Sequence, residues 1–294
     1  MASIREIRQR IGSLKNIEKI TRAVKMVSVA KMRRAYDRVV SLRPYAKALQ
    51  NMLGNVVANT ESLSHPLIDP RERKNAAVIV AAADGGLCGA FNTNIMKLGA
   101  HRVQELQKTL PEGGKVYVFC VGKKANEYYS RRRYLLGGEY VGIFQFLQYG
   151  NALEIVNDVV AGYTHGKFDS VDIVYSEFRS ATRQNNTVEQ MLPIPITSDE
   201  DKNQQQGVSY IYEPDSRDVF ERLLPKSLNM QMWKVLLETN ASYQSARMIA
   251  MENATKNAGE LITNLSLIYN KARQSAITKE ILEIVSGAEA LKGA

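Results

Sequence analysis

Residues 4–27 read IREIRQRIGSLKNIEKITRAVKMV, and their apolar positions Ile4, Ile7, Ile11, Leu14, Ile17, Ile20, Val24 and Val27 recur in steps of three and four. Such a stripe is narrow, closer to a coiled-coil seam than to the broad apolar face of a helix lying on a globular core. Only Gly12 interrupts the pattern before Pro44, which reads as a bend or a tolerated kink, and helix resumes to about Thr60. The stretch from Ser64, His65 and Pro66 to Pro70 then ends it.

A second long helix is predicted at the other end. After Pro225 the chain carries no proline up to Ala294. From Ser216 to Gly287 a continuous helix would run roughly 108 Å at 1.5 Å per residue. Leu261, Leu265, Ile268 and Ala272 give a narrow seam, continued in a shifted register by Ile277, Ile281, Ile284 and Ala288. No ordinary globular domain needs so long a helix. Two helices with narrow stripes bury them most economically on each other, which predicts an antiparallel coiled coil.

The middle changes character. Ala76–Ala83 (AAVIVAAA) is a short continuous apolar run, the mark of a buried parallel strand. A glycine-rich turn, DGGLCG, leads into a helix from about Asn92 to Leu110. Strands follow at Lys115–Val121 and Val171–Phe178, with helices near Lys123–Arg131 and Asn151–His165 between them. Thr187–Ile194 reads as a further strand, antiparallel to the one before, and Thr197–Gly207 as an exposed polar loop. Alternating strand and helix implies a Rossmann-like α/β domain inserted into the coiled coil. The expected boundaries are 1–65 for the first shaft helix, 66–207 for the inserted domain and 208–294 for the C-terminal segment and second shaft helix.

Composition narrows the function. Hydrophobic residues make up 45% and charged residues 23%, a globular rather than a disordered balance. No run of about 18 apolar residues suggests a membrane span, and the charged first residues lack a signal-peptide pattern, so an intracellular location is expected. Cys88 and Cys120 are too few for a disulfide framework, and His65, His101 and His165 are scattered, so no metal site is expected. The charge is unevenly placed. Residues 1–50 hold 13 Lys and Arg against Glu6, Glu18 and Asp37, a net of +10 within a chain of net +9. An acidic partner for this segment follows: nucleic acid, an anionic membrane or an acidic protein loop.

Three strings together resemble the ATP synthase gamma subunits. RIGSLKNIEKITRAVKMVSVAKMRRA, beginning at Arg10, is similar to the family's opening, with Val24 where Met is usual. ADGGLCG, from Ala83 to Gly89, is similar to its D-R-G-L-C-G, with Gly85 in place of Arg. SARMIAMENATKNAGELI, LIYNKARQSAITKEI and ITKEILEIVSGAEA are similar to its C-terminal helix; Ile277, Thr278, Glu280, Glu283, Gly287 and Ala288 carry the most specific signature. The likeness spans nearly the whole chain. It lacks the disulfide-bearing insertion of the chloroplast form, which argues against thiol regulation.

What the resemblance implies is a non-catalytic rotor shaft, present once in a complex of alpha and beta subunits, an epsilon subunit and a membrane ring of c subunits. It would lie peripherally on the cytoplasmic face of a bacterial inner membrane or the equivalent organelle face. Lys31, Arg33 and Arg34 would face an acidic loop of a beta subunit. Arg273 and Gln274 would hydrogen-bond a carboxylate-bearing beta loop, a role that suits the planar guanidinium fork. Tyr210 and Glu213 match positions where the foot of the shaft meets the rotor ring and epsilon. Catalytic residues, cofactors and metals are not expected.

Blander readings compete at each place. DGGLCG could cradle a phosphate through its backbone N–H groups, but it carries neither the lysine nor the hydroxyl residue of a P-loop, so a tight strand-to-helix turn is the better reading. Cys88 lacks an adjacent base and reads as a small buried thiol rather than the nucleophile of an α/β enzyme. The basic helix could serve a stand-alone coiled-coil protein on nucleic acid or membrane, although Tyr36 and Tyr45 alone are thin stacking partners.

Overall fold

The structure is a computed structural model that describes residues 3–59, 65–195, 213 and 215–292. Its elements are α1 (Ile4–Asn59), β1 (Ala76–Ala81), α2 (Phe91–Thr109), β2 (Val116–Val121), α3 (Lys123–Arg131), β3 (Leu136–Tyr140), α4 (Tyr149–Thr164), β4 (Val171–Phe178), β5 (Gln184–Leu192) and α5 (Ser216–Lys292). Two compact units divide the chain: one holds the first part of α1 with the last part of α5, Met1–Ser28 and Met248–Ala294, and the other holds Val29–Arg247. Pro44 lies inside α1 and Pro225 inside α5, and neither ends its helix. The polar run after Thr197 lies outside the described residues.

In the first unit the helices pair antiparallel. Thr255 Oγ1 donates to Thr21 Oγ1 at 2.8 Å, and Lys25 Nζ meets Glu252 Oε1 at 2.7 Å. On α1 the buried or half-buried positions are Ile4, Ile7, Ile11, Leu14, Glu18, Thr21, Lys25 and Ser28, with Val24 beside them. That alternation of threes and fours is the 3.5-residue period of a coiled coil. It corrects the apolar stripe expected from sequence. Ile17 and Ile20 are 48% and 63% exposed, Val27 is exposed as well, and Glu18, Thr21 and Ser28 take the inward places. Ile11, Leu14, Ile17 and Ile20 are separated by three equal steps of three, which precess around the helix and leave a seam that needs threes and fours in turn.

On α5 the buried or half-buried positions are Met251, Thr255, Ala258, Ile262, Leu265, Tyr269 and Ala272, with Ala254, Gly259 and Ser266 beside them. Leu265 and Ala272 therefore stand where expected. Leu261 and Ile268 do not: both are exposed, one residue away from the seam. The continuation through Ile277, Ile281, Ile284 and Ala288 is also corrected. Every residue from Arg273 to Ala288 is exposed, so this stretch is no seam within the chain.

The second unit contains the five-stranded sheet, in the order β3-β2-β1-β4-β5. β1 pairs parallel with β2 and β4, β2 parallel with β3, and β4 antiparallel with β5. All six residues of β1 are buried, as its unbroken apolar run demands when both faces are covered. One face packs on α4 and the 228–236 part of α5 through Ile79, Phe119, Ile155, Ile173 and Met232. The other packs on α2 and α3 through Val78, Val80, Ile95, Val118 and Tyr129. The α1 segment of this unit lies antiparallel along α5: Ala35 and Val39 cluster with Leu237 and Ala241, while Leu49, Leu53 and Val56 cluster with Phe220, Leu223 and Leu224.

β3 is a strand that the sequence hides. Its LGGEY carries no apolar run, and a Cβ at Gly137 would come within 2.5 Å of the Phe119 ring, so the glycines make room for an aromatic side chain of β2.

Candidate functional site

A sheet wound in this order reverses direction between β1 and β4, and the carboxyl ends of those strands form the crevice where such domains bind ligands. Here the crevice is filled by the chain itself. Ser242 Oγ on α5 donates to the Ser176 carbonyl at 3.1 Å, and Gln184 Nε2 donates to Ser245 Oγ at 3.0 Å. Tyr243 Oη reaches the Gly86 carbonyl at 3.4 Å. A Cβ at Gly85 would stand 2.2 Å from that same hydroxyl, so the residue has no room for a side chain while Tyr243 holds its place. The glycine where the resembled family has arginine thus has a local partner on α5.

The rest of the turn is tied down by side chains. Asp84 Oδ1 accepts from the N–H groups of Lys123 (2.7 Å) and Gly142 (2.9 Å), and Oδ2 from that of Phe144 (2.9 Å), fastening the exits of β1, β2 and β3 together. Asn92 accepts from the Ala83 N–H at 3.0 Å and donates to the Gly85 carbonyl at 3.0 Å and to Cys88 Sγ at 3.3 Å. Asp84, Asn92 and Cys88 are a clamp rather than a reaction centre. Burial pushes the Cys88 thiol up and raises that of Cys120 to about 12, so neither is a ready thiolate at neutral pH. Among the described residues, no group of three His, Cys, Asp or Glu side chains could hold a metal ion.

Five of the seven residues singled out as contacts are exposed on helices. Lys31, Arg33 and Arg34 flank the half-buried Met32 and the buried Ala35 on α1. Arg273 and Gln274 follow Ala272, the last half-buried seam residue of α5. None of the five side chains makes a hydrogen bond or ion pair among the described residues. Glu213 is exposed, and Tyr210 lies outside the described residues. Sequence reasoning missed the outward apolar stretch after Arg273, where Ile277, Ile281, Leu282, Ile284 and Val285 are all exposed. No helix among the described residues is long and apolar enough to cross a membrane.

These features define a coiled-coil protein whose α/β domain has given its ligand crevice to its own helix and whose unpaired charged and apolar side chains face outward. The model of the ATP synthase family matches residues 3–291. The chain is 42% identical to the ATP synthase gamma chain of Chloroherpeton thalassium, covering 99% of each, and 43% identical to that of Chlorobaculum tepidum, covering 99% of this chain and all of the other. The chain belongs to the ATP synthase gamma chain family, and its part is that of a central shaft. Among solved structures it is similar to the central stalk of Tetrahymena thermophila mitochondrial ATP synthase (TM-score 0.59, 25% identity, 80% of this chain and 99% of the other). A chain of the Euglena gracilis mitochondrial enzyme shares the fold (TM-score 0.62, 98% of this chain and 94% of the other). The reading as a stand-alone binder of nucleic acid or membrane finds no support in these likenesses.

Proposed function

We propose that this chain transmits torque from a membrane ring of c subunits to catalytic sites on beta subunits, as the single shaft inside a ring of alpha and beta subunits. A shaft with different side chains on each face meets each beta subunit differently, so turning it shifts the conformation and nucleotide affinity of each site in succession. The chain itself makes and breaks no bond. Its inserted domain, taken as residues 66–207, forms the foot with an epsilon subunit, and Tyr210 and Glu213 contribute to the grip on the rotor ring. The complex lies peripherally on the cytoplasmic face of a bacterial inner membrane or the equivalent organelle face. Lys31, Arg33 and Arg34 meet an acidic beta loop.

The observation that carries this reading is Arg273 with Gln274: exposed, with side chains unpaired among the described residues, and directly followed by an outward apolar stretch of α5. A guanidinium in that position suits a bidentate contact with a beta-subunit carboxylate. Truncating one side of such a pair costs about 2–5 kcal/mol. Arg273→Ala is therefore expected to leave a complex that assembles but synthesises and hydrolyses ATP at least about tenfold more slowly, with Arg273→Lys recovering only part of the rate. Wild-type turnover by the assembled Arg273→Ala complex would remove the contact from the account.

A further inference from the structure

Glu238 lies on α5 with its side chain 2% exposed, a costly place for a carboxylate. Its Oε1 stands 3.7 Å from Arg43 Nη2 of α1, and its Oε2 is buried without a hydrogen-bond partner among the described residues. The same Arg43 Nη2 donates to the carbonyl of Phe178, the last residue of β4, at 3.0 Å. The guanidinium thus has two acceptors within reach and is hydrogen-bonded to one. Its side chain is 48% exposed, which leaves the arm room to move. Ala35, Val39, Phe178, Leu237 and Ala241 form a buried apolar cluster in the same contact between α1, β4 and α5.

We propose that Arg43 and Glu238 form a proton-operated switch between α1 and α5: with the carboxyl protonated the guanidinium rests on the Phe178 carbonyl, and with it ionised the guanidinium closes on the carboxylate. Closing the present gap to about 2.8 Å would make the charge-assisted bond that Glu238 lacks. The other charged groups around it are already engaged. On α5, Lys234 Nζ lies 3.4 Å from Glu189 Oε2 of β5, and that same carboxylate accepts from Tyr175 Oη of β4 at 2.9 Å and from Gln231 Nε2 at 2.7 Å. Glu177 of β4 is paired with Arg179 at 3.0 Å. Among the described residues, Arg43 is the only cation within 4.0 Å of Glu238.

Burial is the largest influence on this carboxyl, and Glu177 and Glu189 act with it; Lys234 and Arg43 pull the other way, and the outcome is a rise from an ordinary 4.5 to about 7. The folded chain therefore favours the protonated form. That preference stabilises the fold fully below about pH 4.5 and is lost as pH rises through about 7. What replaces it above pH 7 is a local tether from α1 to α5.

The test uses the full chain labelled with carbon-13 at glutamate carboxyls, with Glu238→Gln to assign the signal. Glu238 is expected to titrate near pH 7, and Arg43→Gln, which keeps a donor for Phe178 but no charge, to raise that midpoint by about one pH unit. Amide exchange in the 39–46 stretch of α1, corrected for the chemical rate, should slow several-fold between pH 6 and pH 8 in the wild type and in neither variant. A Glu238 midpoint near 4.5, an Arg43→Gln midpoint equal to the wild type, or exchange that changes equally in all three chains would each overturn the switch. Arg43→Lys should keep the slowing in part, because it retains the charge, and its complete absence there would also count against the proposal.

Discussion

Gly85 and Tyr243 show how one position can be set by a residue far away in sequence. A Cβ at Gly85 would collide with the Tyr243 hydroxyl, and that hydroxyl in turn receives a hydrogen bond from Arg247 at 3.3 Å. Gly85→Ala is expected to destabilise the chain by about 1–3 kcal/mol, as overpacking does. Tyr243→Phe in the same chain should recover most of that loss, since it removes the colliding atom; urea unfolding of the two variants measures both. Equal stability of Gly85→Ala and wild type would mean that the turn yields freely. Cys88, three residues on, tests the reading of the turn as packing. Because burial raises its pKa, iodoacetamide at pH 8 should alkylate it at least about tenfold more slowly than a free thiol, and rapid labelling of the folded chain would contradict that.

At the scale of elements, the two long helices and most of the sheet are legible because their patterns are local. AAVIVA announces a buried strand, and the absence of proline after Pro225 announces a long helix. The seam is less legible. Which face of a helix is inward depends on the partner helix, and here Thr21 faces Thr255 while the more apolar Ile20 faces outward. A polar residue in a seam fixes register at some cost in stability, which explains why hydrophobicity alone misplaces it. β3 escapes for a related reason, since its two glycines answer to Phe119 on a neighbouring strand. Of the candidate site, the exposed Arg273 and Gln274 could be found from their motif, whereas the meeting of Arg43 with Glu238 required the fold. The corrected seam makes a direct prediction. Ile7→Ala should cost about 2–5 kcal/mol, as loss of a buried isoleucine does, and Ile17→Ala or Ile20→Ala under about 0.5 kcal/mol. Thermal unfolding that ranked them in the opposite order would restore the stripe read from sequence.

For the whole molecule, the features that point to a shaft are those that do nothing inside the chain. The first 50 residues carry a net charge of +10 that the rest of the sequence does not balance, and the apolar residues of α5 beyond Arg273 have no partner among the described residues. The crevice where such α/β domains hold ligands is closed here by Ser242, Tyr243 and Ser245 of the chain's own helix. The central claim is motion, and it can be watched. With both native cysteines buried, a single cysteine placed at the exposed Glu112 would carry a bead while the surrounding catalytic ring is fixed to a surface. The account predicts that adding ATP turns the bead continuously in one direction, and that Arg273→Ala slows the turning. A fixed ring that hydrolyses ATP while the bead on this chain stays still would contradict it.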